Sequence, residues 1–176
     1  MNECRSMDSV SHSMDGGRAM RVFAAVDDRS RRCVVLEFDV ALPAKCVTRN
    51  LDQTIETYGK PRAIRSDNGP VLAGRAFDAL EYVDGIEHPF LRPGIPIEST
   101  FVDGFNVRLR GKLFDQRCFY GLRHARGLCE EWGDDDHHVR PHAALCGRSP
   151  GQSIAEAPGS PRPSTSMAPA HLRARA

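Results

Sequence analysis

Apolar and polar positions along the chain set out a series of short elements. A first short strand is expected around Asp8, within Arg5-Ser6-Met7-Asp8-Ser9-Val10, and from Asp8 to Gly17 the text is polar. Ala19 to Val26 is apolar again, and the turn candidate Asp27-Asp28-Arg29-Ser30-Arg31-Arg32 follows it. Val34, Leu36, Phe38 and Val40 then alternate with Val35, Glu37 and Asp39, a period of two that predicts a strand with one wetter face. Leu42-Pro43 ends that strand. Val47, Leu51, Ile55 and Tyr58 recur at helical spacing as far as Gly59, a helix stop reinforced by Lys60-Pro61. Ala63 to Ser66 is too short to classify by period. Its place after a capped helix and before Asn68-Gly69 predicts a buried parallel strand ending at Asp67.

Ala76, Phe77, Leu80 and Val83 mark a second helix ending at Gly85, and Ile86 to Leu91 a fifth strand. The order strand, strand, strand, helix, strand, helix, strand predicts an α/β fold, a mixed sheet with helices on its faces. From Phe101 a helical wheel puts Phe101, Phe105, Leu109 and Leu113 on one side and Asp103, Asn106 and Arg110 on the other. Gly104 inside this helix costs about 1 kcal/mol relative to Ala. Gly121 to Trp132 reads as the last helix. Residues 1–154 are expected to form one domain, and the Pro/Ser/Ala/Arg-rich residues 155–176 a disordered tail unable to bury a core.

Charge narrows the function classes. With 24 Lys and Arg against 23 Asp and Glu, no global field draws nucleic acid, so any such contact must come from local basic patches. The six cysteines form no CxxC pair, and without a signal peptide they read as reduced intracellular thiols. No apolar run approaches the ~20 residues of a membrane span, so a bacterial cytoplasmic protein without membrane contact is expected.

The candidate chemistry lies in Asp8, Asp67 and Asp103. Mg²⁺ is a hard cation that prefers carboxylate oxygens, and phosphate chemistry often uses paired ions held by shared carboxylates. Asp67-Asn68-Gly69 alone also reads as a turn with a local side-chain hydrogen bond, and Asp27 and Asp28 read as shaping the turn between strands. His137, His138, His142 and Cys146 have a spacing that suggests zinc, with Asp134, Asp135 and Asp136 beside them, yet no CxxC completes a four-ligand set. Arg108, Arg110, Lys112 and Arg117 are candidate phosphate contacts or solvated helix charges.

Ser6-Met7-Asp8, Val26-Asp27-Asp28, Ile64-Arg65-Ser66-Asp67-Asn68-Gly69-Pro70, Arg92-Pro93-Gly94, Phe101-Val102-Asp103-Gly104-Phe105-Asn106 with Arg108-Leu109-Arg110, and Val139-Arg140-Pro141-His142 occur in one order. This ordered set resembles the retroviral-integrase-like catalytic core of bacterial insertion-sequence transposases, whose site is two Asp and a Glu with 35 residues between the last two. Here 35 residues separate Asp67 from Asp103. The resemblance implies a ribonuclease-H-like fold with a five-stranded mixed sheet flanked by helices, in which the first and fourth strands are adjacent. It also implies two Mg²⁺ ions, with Mn²⁺ as substitute, held by Asp8, Asp67 and Asp103. Asn106, Arg108, Arg110 and Lys112 would then contact DNA. The implied activity is DNA cleavage and strand transfer on transposon ends and a target, by a homo-oligomer or beside an intact transposase. The chain departs from the pattern at Asp103, where the family has Glu, at Glu98-Ser99, at Val107, at Arg5 in place of an aromatic, and at Ser9 in place of an apolar residue. No helix-turn-helix segment precedes Asp8, so the end-binding module is expected to be absent. These departures keep two alternatives open: an inactive remnant that binds DNA or an intact transposase as a regulator, and a simple nuclease of the same fold.

Overall fold

The computed structural model describes residues 3–66, 86 and 100–156. Four strands lie within them: β1 (Cys4–Ser13), β2 (Ala19–Asp27), β3 (Cys33–Asp39) and β4 (Ala63–Ser66). The helices are α1 (Ala44–Tyr58), α2 (Thr100–Leu109), α3 (Leu122–His138) and α4 (Pro150–Ala155), and a π-helical turn over Arg110–Phe114 prolongs α2. The sheet order is β3-β2-β1-β4, with β1 and β2 antiparallel, β2 and β3 antiparallel, and β4 parallel to β1. The sheet is thus mixed, and its first and fourth strands are neighbours. It has four strands among the described residues rather than the expected five, because Ile86 to Leu91 lies outside them except for Ile86. The helix expected around Ala76 to Val83 also lies outside.

Two apolar layers sandwich the sheet. On one face Met7, Phe23, Val35, Val47, Leu51, Ile64 and Ile86 pack together beneath α1. On the other, Val10, Val22, Leu36 and Phe38 meet Phe105, Leu109, Leu113, Ala125, Cys129 and Trp132 from α2, the π-helical turn and α3. This double covering corrects the reading of β3 as half wet. All five interior residues of β3 are buried, and the one charge among them, Glu37, meets Arg126 Nη2 of α3 at 3.4 Å.

β1 runs further through polar text than expected, as far as Ser13. The β2 ladder satisfies its backbone to Ser13↔Ala19, while Val10 and the following Met14 anchor the alternate face. Gly16 and Gly17, at φ 80° and 78°, close the connection in a conformation that suits residues without a Cβ. At the other end Arg5 is buried at 1% exposure. Its Nη1 donates to Thr54 Oγ1 at 3.1 Å and its Nη2 to the Gly59 carbonyl at 2.6 Å. That carbonyl lies at the negative end of the α1 dipole, so the cation is stabilised at the position where the resemblance implies an aromatic ring.

α3 also exceeds its expected end, continuing past Trp132 to His138 because Asp136 and His137 turn inward and are buried.

Candidate active site

The face of β1 that carries Ser6, Asp8, Val10 and His12 is the face that α2 covers. Two contacts fix the alignment of helix and strand. Asn106 Nδ2 donates to Asp8 Oδ2 at 2.7 Å, and the Phe114 ring stacks on His12 with centroids 4.6 Å apart. Helix and strand therefore run in the same direction, side by side. The π-helical turn adds a residue to the helical repeat, so Leu113 and Phe114 both reach the core.

Asp8 is half-buried, and its Oδ1 accepts a second hydrogen bond, from the Ser9 amide at 2.6 Å. Asn106 is 5% exposed, which corrects the helical-wheel placement on the outer side of α2. The wheel divides apolar from polar residues, whereas this Asn is buried by a bond to a charge on the sheet. The apolar stripe is also rotated: Val102 is buried and Phe101 only partly so. Asp103 is exposed and lies one turn before Asn106, three residues back, so the two side chains leave α2 on neighbouring sectors of one side.

Asp67 lies outside the described residues. β4 reaches Ser66, which is paired with Met7, the residue before Asp8. Among the described residues no group of three His, Cys, Asp or Glu side chains could hold a metal ion. Those that are described suit a hard cation all the same. Asp8 and Asp103 offer only oxygen, and Asn106 Oδ1, buried without a hydrogen-bond partner, is an orphaned oxygen acceptor beside Asp8.

The turn between β2 and β3 closes one end of this face. Asp27 Oδ1 accepts from the Ser30 amide at 2.8 Å and from the Ser30 hydroxyl at 2.7 Å, the turn-shaping role expected of it. Asp28 accepts from Ser6 Oγ at 2.6 Å and faces Arg65 Nη1 at 3.4 Å. Burial pushes the Asp28 carboxyl up, against the lowering by Ser6, Cys4 and Arg65. From the same turn the Arg31 guanidinium lies over the Phe101 ring, its carbon 3.4 Å from the centroid. Nothing in the hydrophobic pattern marks Arg31. The available signal is its place in a five-residue polar turn that needs a residue at positive φ.

The four cation and amide candidates separate. Asn106 is engaged with Asp8. Arg108 Nη1 donates to the Gly104 carbonyl at 3.1 Å and its Nε meets the buried Asp136 at 3.3 Å. Arg110 and Lys112 are exposed beyond it. Around Asp136, Arg140 Nε lies at 3.9 Å and His142 Nε2 at 3.4 Å. Burial raises the Asp136 pKa, but His142 and Arg108 outweigh it and hold the carboxyl below its ordinary value. The zinc-like spacing does not gather its ligands: Cys146 and His138 are exposed, while His137 and His142 are buried.

The first 96 residues match a family described as "Integrase core domain", and residues 84–150 match a second family of the same description. An uncharacterized 39.2 kDa protein of insertion element IS476 from Xanthomonas euvesicatoria is 35% identical over 149 residues, 85% of this chain and 43% of that protein. An uncharacterized 31.7 kDa protein of insertion element IS407 from Burkholderia multivorans is 30% identical over 155 residues, 88% of this chain and 56% of that protein. The chain thus spans about half the length of these curated relatives. Among solved structures, the simian T-cell lymphotropic virus intasome in complex with PP2A regulatory subunit B56 gamma aligns with a TM-score of 0.73 at 19% identity, over 94% of this chain and 59% of that one. The HTLV-2 integrase catalytic core domain in complex with magnesium aligns with a TM-score of 0.64 at 17% identity, over 86% of this chain and 95% of that one. At such identities the likeness concerns the fold, which is that of an integrase catalytic core. With a family match over more than half of its 176 residues, and with insertion-element proteins as its curated relatives, this chain belongs to the integrase core domain family.

Proposed function

We propose that this chain is the catalytic core of an insertion-sequence transposase, in which Asp8, Asp67 and Asp103 hold Mg²⁺ ions for DNA cleavage and strand transfer. The observation that carries the reading is the 2.7 Å bond from Asn106 to Asp8, which binds the helix of Asp103 to the strand of Asp8. Further support comes from β4, whose parallel pairing runs to Met7↔Ser66, one residue short of Asp8 and Asp67. The HTLV-2 core, similar in fold, is in complex with magnesium.

Each residue then has a task. Asp8, oriented by Asn106 and by the Ser9 amide, offers one carboxylate in a fixed direction. Asp103 approaches from the exposed side of α2, and Asp67 follows the end of β4. Two Mg²⁺ ions bound there supply charge stabilisation at the attacking and leaving oxygens of an in-line phosphoryl displacement. No covalent enzyme intermediate is required. Arg110 and Lys112, exposed on the continuation of α2, grip phosphates without reading sequence. The partners are transposon-end and target DNA, held by a homo-oligomer or together with a full-length transposase.

Asp103 in place of Glu favours a second reading, an inactive core that binds DNA or an intact transposase. Cleavage and strand transfer in Mg²⁺ and Mn²⁺ separate the two. Under the first reading the native chain cuts and joins, and Asp67→Asn abolishes both. An inert native chain that gains activity on Asp103→Glu establishes the second. A chain that cuts but never joins is a nuclease.

A further inference from the structure

Arg31 is one of two non-glycine described residues at positive φ, at 60°. For a long side chain this conformation is uncommon and costs free energy. The turn holds it there by a bond from its amide to the Asp27 carbonyl at 2.8 Å. The side chain is costly as well, because Nε and Nη1 are occluded and have no hydrogen-bond partner. Against these two costs stand the nearby carboxylates of Asp28 and Asp27 and one ring contact, the guanidinium carbon 3.4 Å from the Phe101 centroid. Phe101 lies in the first turn of α2, two residues before Asp103, while Asn106 holds the following turn to Asp8.

We propose that Arg31 is a positioning residue: by lying on Phe101 it fixes the start of α2 and so sets where the Asp103 carboxylate stands relative to Asp8. This rests on the proposed metal-binding role of those acids. The packing of Val102, Phe105 and Leu109 and the Arg108–Asp136 pair seat α2 on the sheet, and two further directed contacts fix it on either side of Asp103. The Asn106 bond is one point on α2 and the Arg31 plate is a second, on the far side of Asp103 from Asn106, so the carboxylate is bracketed between them. A flat, delocalised cation suits the task better than Lys, since it stacks face to face on an aromatic ring.

The test is Arg31→Gly in the full chain, with Phe101→Leu and Arg31→Lys beside it. Glycine prefers positive φ, so Arg31→Gly relaxes the turn and is expected to leave the melting temperature unchanged or raised. The positioning role predicts that the same variant shifts the NMR signals of the Asn106 side-chain amide and speeds their exchange with water. Mn²⁺ affinity, read by calorimetry, is expected to fall about tenfold to a hundredfold, as when a partner that orients a metal ligand is lost. Phe101→Leu should reproduce both effects and Arg31→Lys should not rescue them. An Arg31→Gly chain whose Asn106 amide signals and Mn²⁺ affinity match the native ones overturns the proposal. A native chain that binds no Mn²⁺, but whose Asn106 amide still responds to Arg31→Gly, retains the positioning role while the metal reading fails.

Discussion

Asn106→Asp converts the hydrogen bond to Asp8 into a clash of like charges. The native Nδ2 to Oδ2 distance is 2.7 Å at a site where Asn106 is 5% exposed. Two carboxylates that relax to about 4 Å repel by about 4 kcal/mol at the effective dielectric of a protein surface. The lost bond to a charged acceptor adds roughly 1.5 to 3 kcal/mol. Proton uptake caps the penalty. Keeping one carboxyl of ordinary pKa about 3.9 protonated at pH 7 costs about 4 kcal/mol, and at pH 5 about 1.5 kcal/mol. In this variant the folded-state pKa of the pair is raised above its unfolded value. The destabilisation is therefore full above the folded value and disappears as pH falls towards about 3.9. Differential scanning fluorimetry from pH 4.5 to 8 should give a melting point roughly 8 to 16 °C below native at pH 7, with most of the gap closed by pH 5. Millimolar Mg²⁺ should narrow the gap at pH 7, because a divalent cation between the acids replaces repulsion with attraction. A variant that melts within a degree of native at every pH would refute the adjacency of α2 and β1 at this point. A normal pH response with no effect of Mg²⁺ would refute the metal reading alone.

Other outcomes follow from the same contacts. Arg5→Ala, which empties a buried site and strands the Gly59 carbonyl, should cost roughly 3 kcal/mol in chemical denaturation, and Arg5→Met less than half of that. Burial, with Arg32 and His138 adding like charge, lowers the His137 pKa to about 3. The unfolded chain therefore binds the proton first, and stability should fall as pH drops below about 6.5, by about 1.4 kcal/mol per unit, until the folded value is reached. His137→Gln should remove one proton from that acid-side slope. In gel-shift titrations with duplex DNA, Arg110→Gln and Lys112→Gln should each reduce the salt slope by about 1, with no change in sequence preference.

Much of the frame was legible in the chain. The alternation over Val34 to Asp39 located β3, and Gly59 marked the end of α1. The adjacency of β1 and β4 came only with the family resemblance, since no local signal pairs two strands separated by two other strands and a helix. The misreadings share a physical cause. A wheel or an alternation treats a polar side chain as wet, whereas Glu37 and Asn106 are buried because Arg126 and Asp8 meet them, and the last helix runs past Trp132 to a buried Asp136 that Arg108 meets. Partners distant in sequence decide such cases. Arg5 is the extreme example, a cation in a core position that reads in the sequence as a departure from the pattern, and that Thr54 and the Gly59 carbonyl account for.

The replacement at Asp103 has to be weighed against how firmly α2 is held. Under the proposed metal reading the arm of Asp103 is one methylene shorter than the Glu of the family pattern, and a misplacement of about 1 Å can cost on the order of a hundredfold in rate. α2 is poorly able to advance. Asn106 is bonded to Asp8, Phe101 is under Arg31, and Arg108 ties the next turn to Asp136 at 3.3 Å. The buried Val102, Phe105 and Leu109 of α2 are also packed against the sheet already. Advancing α2 towards the sheet would strain three interactions at once, so under the proposed metal reading Asp103→Glu should raise the rate above that of the native chain, whereas loosening the helix by Arg31→Gly with the native Asp103 should not. Strand-transfer rates for the two variants measured side by side put that ordering to the test, and equal or greater activity in the loosened chain would show that the helix, not the side-chain length, sets the limit.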